Sequence, residues 1–279
     1  MSKPAATKPA VAKPAVTRRA MSKRSWLKDS TAGAVLLPVL GLIAAIALWW
    51  LATVVFSIES YLLPSPKDVF AKFFEQPAYL LGETGTSLLE TIEGFALAIV
   101  IGVPIALVIV TSTILERLVY PLLLMVNAIP KVAIAPLLVI WMGFGQWPKV
   151  VMVLLMCFFP IVISTAQGMK STPTELVELL RSLNASRTQE FFKLRIRFAM
   201  PQIFTGLKVA ISLAVIGSVI SEFVGATRGL GYVIQQSGAT ADTTLAFAAI
   251  TLLSIMSIVL FYALVLLEHL LLPWAQESR

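Results

Sequence analysis

Apolar stretches with few charged residues recur along the chain from residue 30 onward. A helix needs about 20 apolar residues to cross the core of a bilayer, and six of the stretches are long enough. The predicted spans cover residues 32–56, 87–115, 119–142, 149–169, 202–223 and 244–272, and the third is interrupted by Pro130, Lys131 and Pro136. We therefore predict an all-α, polytopic membrane protein with six transmembrane helices.

The segments between the predicted spans carry polar and helix-breaking residues. Residues 57–83 predict a loop that contains an amphipathic helix from Pro66 to Phe74, with Ser65 as its N-cap. Three further connections are predicted: a short turn at Glu116 and Arg117, a tight turn over residues 143–146, and a polar, glycine-rich segment over residues 225–243.

The basic charge of the chain is concentrated at its start. Residues 1–28 hold eight Lys or Arg and no acid, whereas the rest holds fourteen bases and fifteen acids. We predict a disordered basic tail over residues 1–30, which is cytoplasmic by the positive-inside rule, and a transmembrane domain over residues 31–279. A nucleic-acid arm is the alternative, but nothing downstream predicts base recognition. A signal peptide is disfavoured because the first apolar run is too long and no A-x-A-like cleavage site follows it.

The orientation follows from the number of spans. Six crossings from a cytoplasmic N-terminus return the C-terminus to the cytoplasm and place the fourth connection, about residues 170–200, on the same side. This connection carries six bases and three acids, which makes it the most basic loop outside the tail. Charge and span count therefore agree on the orientation.

The fourth connection predicts two short helices joined by a hinge. Thr172 to Glu175 and Ser186 to Gln189 each have the spacing of a capping box, and Asn184 lies where a left-handed turn would end the first helix. Leucines spaced as on one helical face lie between them: Leu176, Leu179, Leu180 and Leu183. Two interpretations stay open: the pair lies on the membrane or on the protein's own helices, or it docks a cytoplasmic partner.

Lys131 is a base deep in the third predicted span, near mid-bilayer if that helix starts at about residue 119. Such a lysine costs about 2.5–3.5 kcal/mol unless it faces water or a partner. It either lines a solute pathway or serves a structural pair with Glu90 or Glu222, or snorkels to the interface. Asn127 and Glu222 are the other pathway candidates. Glu90 and Glu93 are predicted to be solvated near the outer interface and receive no role.

Composition limits the classes of function. The chain is 58% apolar and 13% charged with a mean hydropathy of +0.87, which excludes a soluble enzyme. An intramembrane enzyme would need a Ser/His, Asp/Asp or His/Glu cluster in the spans, and none is found. An ion-gradient-driven secondary transporter would usually show carboxylates at midplane. The single His269 cannot form a metal site, and the single Cys157 cannot form an internal disulfide.

The stretch from Glu178 to Pro201 resembles the EAA loop of ABC-importer permeases of the binding-protein-dependent, MetI-like type. Asn184 occupies the family's glycine position and Arg197 a common proline position, whereas Pro201 is retained. Several segments across the rest of the sequence resemble one branch of this family, which includes nitrate, sulfonate, taurine, thiamine-precursor and riboflavin permeases. The segments that carry this resemblance are LLPSP at 62–66, IPKVAIAPL at 129–137, WMGFG at 141–145, NASR at 184–187, PQIFTGL at 201–207, SEF at 221–223 and GLGY at 229–232.

The resemblance implies a permease of the inner membrane that assembles with a second copy, two cytoplasmic ATP-binding subunits and a periplasmic or lipid-anchored solute-binding protein. The sequence has no G-x-x-x-x-G-K-[ST] loop, so no cofactor is expected on this chain and ATP is expected on the partner subunits. We expect transport of a small solute, with an organic or inorganic anion favoured and a neutral thiamine-precursor pyrimidine or riboflavin as the alternative. The residues expected to couple to the ATPase are Glu178, Leu179, Leu180, Asn184 and Ala185.

Overall fold

The computed structural model describes residues 31–275, with side chains from residue 36. The predicted basic tail, residues 1–30, lies outside this range. The helices are α1 (Thr31–Val55), α2 (Pro66–Glu75), α3 (Pro77–Thr111), α4 (Thr113–Ala128), α5 (Lys131–Met142), α6 (Trp147–Lys170), α7 (Thr174–Ser182), α8 (Arg187–Gln189), a π-helical segment (Glu190–Arg195), α9 (Ile196–Gly225), α10 (Leu230–Thr240), α11 (Thr243–Leu271) and a 3₁₀ turn (Pro273–Ala275).

The described residues fall into two units, residues 31–55 and residues 56–275. The first contributes α1, whose 20 residues from Leu36 to Val55 are apolar enough to span a membrane. Its polar Thr53 donates its hydroxyl hydrogen bond to the carbonyl of Trp50 within the same helix, at 2.7 Å. The predicted first span is therefore confirmed as one long apolar helix.

The second unit begins with a capped amphipathic helix. The Ser65 hydroxyl accepts a hydrogen bond from the N–H of Asp68, and Pro66 is the first helical residue. α2 is thus confirmed, and it ends one residue later than predicted. The next helix, α3, starts at Pro77 rather than near Ser87, and its 35 residues rise about 52 Å at 1.5 Å per residue. That length exceeds the hydrocarbon core of a bilayer, so one end of α3 extends beyond it.

The predicted third span is broken. Ile129 takes an extended backbone conformation and Pro130 follows it, so α4 ends at Ala128 and α5 begins at Lys131, with a bend of 88°. The cause is local, because proline lacks a backbone N–H and disfavours helical geometry in the residue before it. The predicted interruption of the third span at Pro130 and Lys131 is confirmed, and it is a complete break between two helices.

The start of α4 also differs from the prediction. The turn lies at Ser112, whose hydroxyl accepts a hydrogen bond from the N–H of Leu115 at 3.4 Å, and Glu116 is already helical. Serine is a favoured N-cap residue. Five helices in the described residues are long and apolar enough to span, or six if α4 and α5 together make one span. The total of six therefore stays a prediction.

The core of the second unit lies where α6 packs between α3 and α9. Small side chains with no exposed surface occupy these contacts, among them Ala98 on α3 and Ala210 and Ala214 on α9. Small residues let transmembrane helices approach closely, which strengthens packing where lipid supplies little hydrophobic drive. Cys157 on α6 donates its thiol hydrogen to the carbonyl oxygen of Ala210 at an Sγ–O distance of 3.2 Å.

The connection before the last helix contains α10 and is tied back to α2. Asp242 caps α11 by accepting a hydrogen bond from the N–H of Leu245 at 3.0 Å. The Nζ atom of Lys72 lies 3.0 Å from Glu75 and 3.5 Å from Asp242, and its hydrogen bond to Glu75 raises the pKa of Lys72 above its ordinary value. Thr243 donates its hydroxyl hydrogen bond to the carbonyl of Tyr61 at 2.5 Å.

Candidate functional site

The predicted hinge in the fourth connection forms as a closed hydrogen-bonded bend. Asn184 has a φ of 54°, its N–H donates to the carbonyl of Arg181, and the N–H of Ala185 donates to the carbonyl of Leu180, both at 3.0 Å. These two bonds are the Schellman motif that ends a helix with a left-handed residue. The prediction that Asn184 makes this turn is confirmed.

The helix after the bend begins with the predicted capping box. The N–H of Gln189 donates to the Ser186 hydroxyl at 3.3 Å, and the N–H of Ser186 donates to Oε1 of Gln189 at 3.0 Å. α8 then continues through the π-helical segment into α9. Two orphan N–H groups are thus satisfied at the start of a helix that is continuous from Arg187 to Gly225.

The other predicted capping box, from Thr172 to Glu175, is absent. Pro173 is the N-cap of α7 rather than its first helical residue, and no side chain caps this end. Thr172 is therefore one residue too far from the helix. Its hydroxyl is buried and has no hydrogen-bond partner among residues 31–275.

Two of the predicted leucines, Leu179 on α7 and Leu183 at its C-cap, point outward. Leu179 is 55% exposed and Leu183 is 69% exposed, Glu178 is exposed, and Leu180 is half-buried. Val177 is the α7 residue that packs inward. We define the coupling segment as residues 174–195. In a single copy of the chain, its first helix presents an apolar and acidic surface.

Ion pairs hold the two sides of the bend together. The carboxylate of Glu190, which is almost fully buried, accepts hydrogen bonds from Arg195 at 2.7 and 2.9 Å and from Arg181 at 3.2 Å. Arg181 lies on α7, whereas the other two residues lie beyond the bend. The angle between the helices is therefore set by side chains as well as by the Schellman motif.

The pathway candidates Lys131 and Asn127 are brought together across the break between α4 and α5. Nζ of Lys131 donates to Oδ1 of Asn127 at 2.7 Å and lies 3.4 Å from its carbonyl oxygen. Both residues are half-buried. Because the helix breaks here, the mid-bilayer depth counted along one continuous helix does not apply to Lys131. No carboxylate pairs with it among the described residues.

The pairing of Lys131 with Glu90 or Glu222 is not present. Glu90 instead binds Nζ of Lys149 at 2.6 Å, and both side chains are buried. The expectation that Glu90 is solvated was therefore wrong, because α6 covers it with a lysine. Glu93 is more exposed to solvent than Glu90. Its Oε2 accepts a hydrogen bond from Nε2 of Gln146 at 2.5 Å.

The third pathway candidate, Glu222, is fully buried and lies apart from Lys131 in a separate polar cluster. Its carboxylate accepts hydrogen bonds from the hydroxyl of Ser87 at 2.7 Å, the hydroxyl of Ser218 at 3.0 Å and the N–H of Gly231. We call this cluster the Glu222 network; its members are Glu83, Ser87, Ser218, Glu222 and the backbone N–H groups of residues 229–231.

The Glu222 network binds the start of α10. Glu83 accepts from the N–H of Gly229, and Ser87 accepts from the N–H of Leu230 at 2.8 Å. These are N–H groups that a helix start leaves without partners, and carboxylates are favoured there. Gly229 has a φ of 111°, and a Cβ on Gly231 would lie 2.8 Å from Oε2 of Glu222. Glycine is therefore needed at both positions.

Sequence reasoning missed Lys149, Glu83 and Ser87. Glu83, Ser87 and Glu90 are spaced by four and three residues, so they share one face of α3. That periodicity was a usable signal for a buried polar face. Their partners lie 59 to 146 residues away along the chain, which spacing alone does not reveal. Within residues 31–275 no group of His, Cys, Asp and Glu is arranged to hold a metal ion.

Comparisons with known proteins agree with this architecture. The formylaminopyrimidine transport permease protein ThiX of Halalkalibacterium halodurans is 37% identical over 79% of this chain and 88% of its own length. The taurine transport system permease protein TauC of Escherichia coli is 28% identical over 84% and 88%. The solved MetNI methionine ABC transporter contains a chain with a TM-score of 0.55 at 21% identity, covering 68% of this chain and 98% of that chain, which supports the fold.

The family model for "Binding-protein-dependent transport system inner membrane component" matches residues 98–275. That range includes the break at Pro130, the coupling segment and Glu222. It covers more than half of the chain and confirms the resemblance indicated by the sequence motifs. The chain belongs to the family of binding-protein-dependent transport system inner membrane components.

Proposed function

We propose that two copies of this chain form the membrane pathway of an ATP-driven importer, and that two cytoplasmic ATPase subunits grip its coupling segments. The observation that carries this proposal is the coupling segment itself. It presents two exposed leucines and Glu178 on a short helix whose angle is fixed by Asn184 and the Glu190 ion pairs. ATP is bound and hydrolysed by the partner subunits.

Membership of the family makes the chain a multi-pass permease component for a small solute, and not an enzyme. Family membership also argues against an ion-gradient-driven secondary transporter, because members of the family are components of binding-protein-dependent systems. The proposal adds the finer points: the partners, the orientation and the class of solute.

The coupling segment is suited to transmit force. Exposed apolar side chains on α7 are stabilised when a partner groove covers them. A flexible loop would absorb a partner's movement, whereas this bend is closed by two backbone hydrogen bonds and by ion pairs from Glu190 to Arg181 and Arg195. Glu178, Leu179, Leu180, Asn184 and Ala185 are therefore proposed as the coupling residues.

The proposed orientation places the coupling segment and both termini in the cytoplasm. The basic charges of residues 170–200 and of the tail support it. The turn at residues 143–146, between α5 and α6, and helix α10 would then lie on the outer side, where an external solute-binding protein would deliver its ligand.

A second copy is proposed because one copy leaves two of the three pathway candidates, Lys131 and Asn127, on a surface. Lys131 and Asn127 are half-buried, and large apolar side chains around them on α4 and α5 are exposed, among them Met125, Val126 and Val132. A second wall facing these residues would enclose a pathway and cover the apolar surface. Lys131 and Asn127 of both copies would then line it.

An anion is the solute class that Lys131 favours. Within the described part of the chain its ammonium group has an amide partner but no carboxylate, so its charge is free to attract an anion from a poorly screened cavity. A neutral pyrimidine is the second candidate, because the ThiX relative is named for a formylaminopyrimidine. Identifying the ligand that co-purifies with the cognate binding protein distinguishes the two.

The bend at Asn184 offers a direct test of coupling. Asn184→Val puts a β-branched residue at positive φ, which costs about 1–2 kcal/mol, whereas Asn184→Gly accepts that geometry. We expect Asn184→Val to reduce the ATPase activity stimulated by the binding protein and the amount of ATPase that co-purifies. Asn184→Gly is expected to retain both.

Thr188→Val is the matched control, because it places the same side chain in the right-handed helix just after the bend. It is expected to behave as the unmodified chain does. If Asn184→Val assembles and hydrolyses ATP as well as Thr188→Val, the proposed role of the coupling segment is wrong.

A further inference from the structure

A basic cavity of about 460 Å³ lies between the coupling segment and the ends of two spanning helices. Val110 and Thr111, the last residues of α3, and Met169 near the end of α6 form one wall. The coupling segment forms the other, with Arg181 and Arg195 among its lining residues. The cavity is large enough for a phosphate group and the first atoms attached to it.

The charges of this cavity are unbalanced. Three arginines, Arg181, Arg187 and Arg195, face a single carboxylate, that of Glu190. Glu190 is already shared between Arg181 and Arg195. Arg187 has no ion-pair or side-chain hydrogen-bond partner among residues 31–275. Two positive charges are therefore left over, and planar guanidinium groups match phosphate oxygens in pairs.

The position of the cavity indicates where its ligand comes from. α3 and α6 both end at its wall, at the residues where these helices would leave the apolar core of the bilayer. In the proposed orientation this level would be that of the inner-leaflet headgroups, and basic pockets between transmembrane helices on the cytoplasmic side are suited to anionic headgroups. The apolar lining residues, which are Val110, Met169 and Phe191, suit the glycerol and upper acyl region of a lipid.

We propose that this cavity binds a phosphate group through Arg187, Arg181 and Arg195, and that its source is the headgroup of an anionic phospholipid in the inner leaflet. Free phosphate anion is the other source of the same chemistry. The placement in the inner leaflet rests on the proposed orientation. Because Arg181 precedes the Asn184 bend and the other two arginines follow it, a bound phosphate links both sides of the bend. Bound lipid would thus stiffen the coupling segment to which the ATPase is proposed to bind.

Native mass spectrometry of the assembled importer in detergent tests this site. Phosphatidylglycerol, phosphatidylcholine and inorganic phosphate are titrated separately. We expect phosphatidylglycerol to bind one site per copy of the chain and more tightly than phosphatidylcholine. Arg187→Gln is expected to weaken that binding about fivefold, the factor expected for one basic residue near an anionic lipid surface. Lys193→Gln, which removes an exposed cation from the same segment outside the cavity, is expected to leave it unchanged.

Competition by inorganic phosphate distinguishes a phospholipid headgroup from free phosphate as the ligand. If it fails to compete with phosphatidylglycerol at millimolar concentration, the lipid is the ligand. If it competes and depends on Arg187 in the same way, the phosphate site stands and its proposed lipid source is overturned. Equal effects of Arg187→Gln and Lys193→Gln, or equal binding of the two lipids, would overturn the site.

Melting temperatures show whether Arg187→Gln is folded, and they give a second measure of lipid binding. Phosphatidylglycerol is expected to stabilise the unmodified complex and Lys193→Gln more than it stabilises Arg187→Gln. Arg187→Lys, which keeps the charge, is expected to recover most of this effect. Because binding is measured without transport, its failure would leave the proposed transport function unaffected, and loss of transport would not remove the site.

Discussion

The buried ion pair between Lys149 and Glu90 allows a quantitative test of how much burial adds to the stability contributed by an ion pair. Nζ of Lys149 lies 2.6 Å from Oε1 of Glu90, and the two side chains are only 10% and 4% exposed. Oε2 of Glu90 has no hydrogen-bond partner among the described residues, so the carboxylate depends on the lysine. Removing one member of such a pair costs about 3–5 kcal/mol, because a charge stays buried without its partner. We expect Lys149→Met and Glu90→Leu each to destabilise the chain by this amount.

The double variant is expected to recover most of that loss. Replacing a buried ion pair with apolar side chains of similar volume is often neutral or stabilising. The measurement is unfolding of the purified protein by sodium dodecyl sulphate in mixed micelles, followed by helical circular dichroism, for the unmodified chain, both single variants and the double variant. The coupling energy of the cycle is the difference between the double change and the sum of the singles.

The pair Lys170 and Glu116 supplies a matched control, because it also joins two helices but its side chains are 50% and 27% exposed. A partly solvated pair is worth about 0–1 kcal/mol, so Lys170→Met is expected to cost less than Lys149→Met by several kcal/mol. Equal costs for the two lysine variants, or a double variant as unstable as the sum of its singles, would refute the argument from burial.

Three further outcomes are expected. Gly231→Ala puts a Cβ 2.8 Å from the carboxylate of the Glu222 network and is expected to lower the melting temperature, whereas Gly238→Ala, in the same helix with nothing within 4 Å, leaves it unchanged. Lys131→Met is expected to reduce uptake of the solute several-fold while the complex stays assembled with normal basal ATPase activity; full transport would remove Lys131 from the pathway. A cysteine placed at Arg187 in a Cys157→Ala background is expected to react with an impermeant thiol reagent only after cells are permeabilised, and labelling of intact cells would reverse the proposed orientation.

Features encoded by neighbouring residues could be predicted from the sequence. The positive φ of Asn184 and the Ser186 capping box need only a few consecutive residues, because the hydrogen bonds that define them close within one helical turn. The same holds for the Ser65 cap of α2. The capping box at Thr172 failed by one residue, since proline is compatible with both the N-cap and the first helical position.

Features that depend on distant residues could not be predicted. Pro130 was visible in the sequence, but the length of an apolar run does not reveal whether a proline kinks a helix or ends it, and here the bend is 88°. Lys149 and Glu90 are 59 residues apart, and each looks like a charge at the edge of its own span. Their burial results from the packing of α6 against α3, which is a property of the folded chain.

Helix α9 gives the coupling segment a physical connection to the Glu222 network. Its 30 residues rise about 45 Å, and the helical run is continuous from Arg187, just after the Asn184 bend, to Gly225, three residues beyond Glu222. At its start the helical run is joined to α7 through Glu190, and near its end Glu222 accepts a hydrogen bond from the N–H of Gly231 in the first turn of α10. A movement of α7 would therefore have a continuous helical connection to α10, with hydrogen bonds to a buried carboxylate at each end of the run.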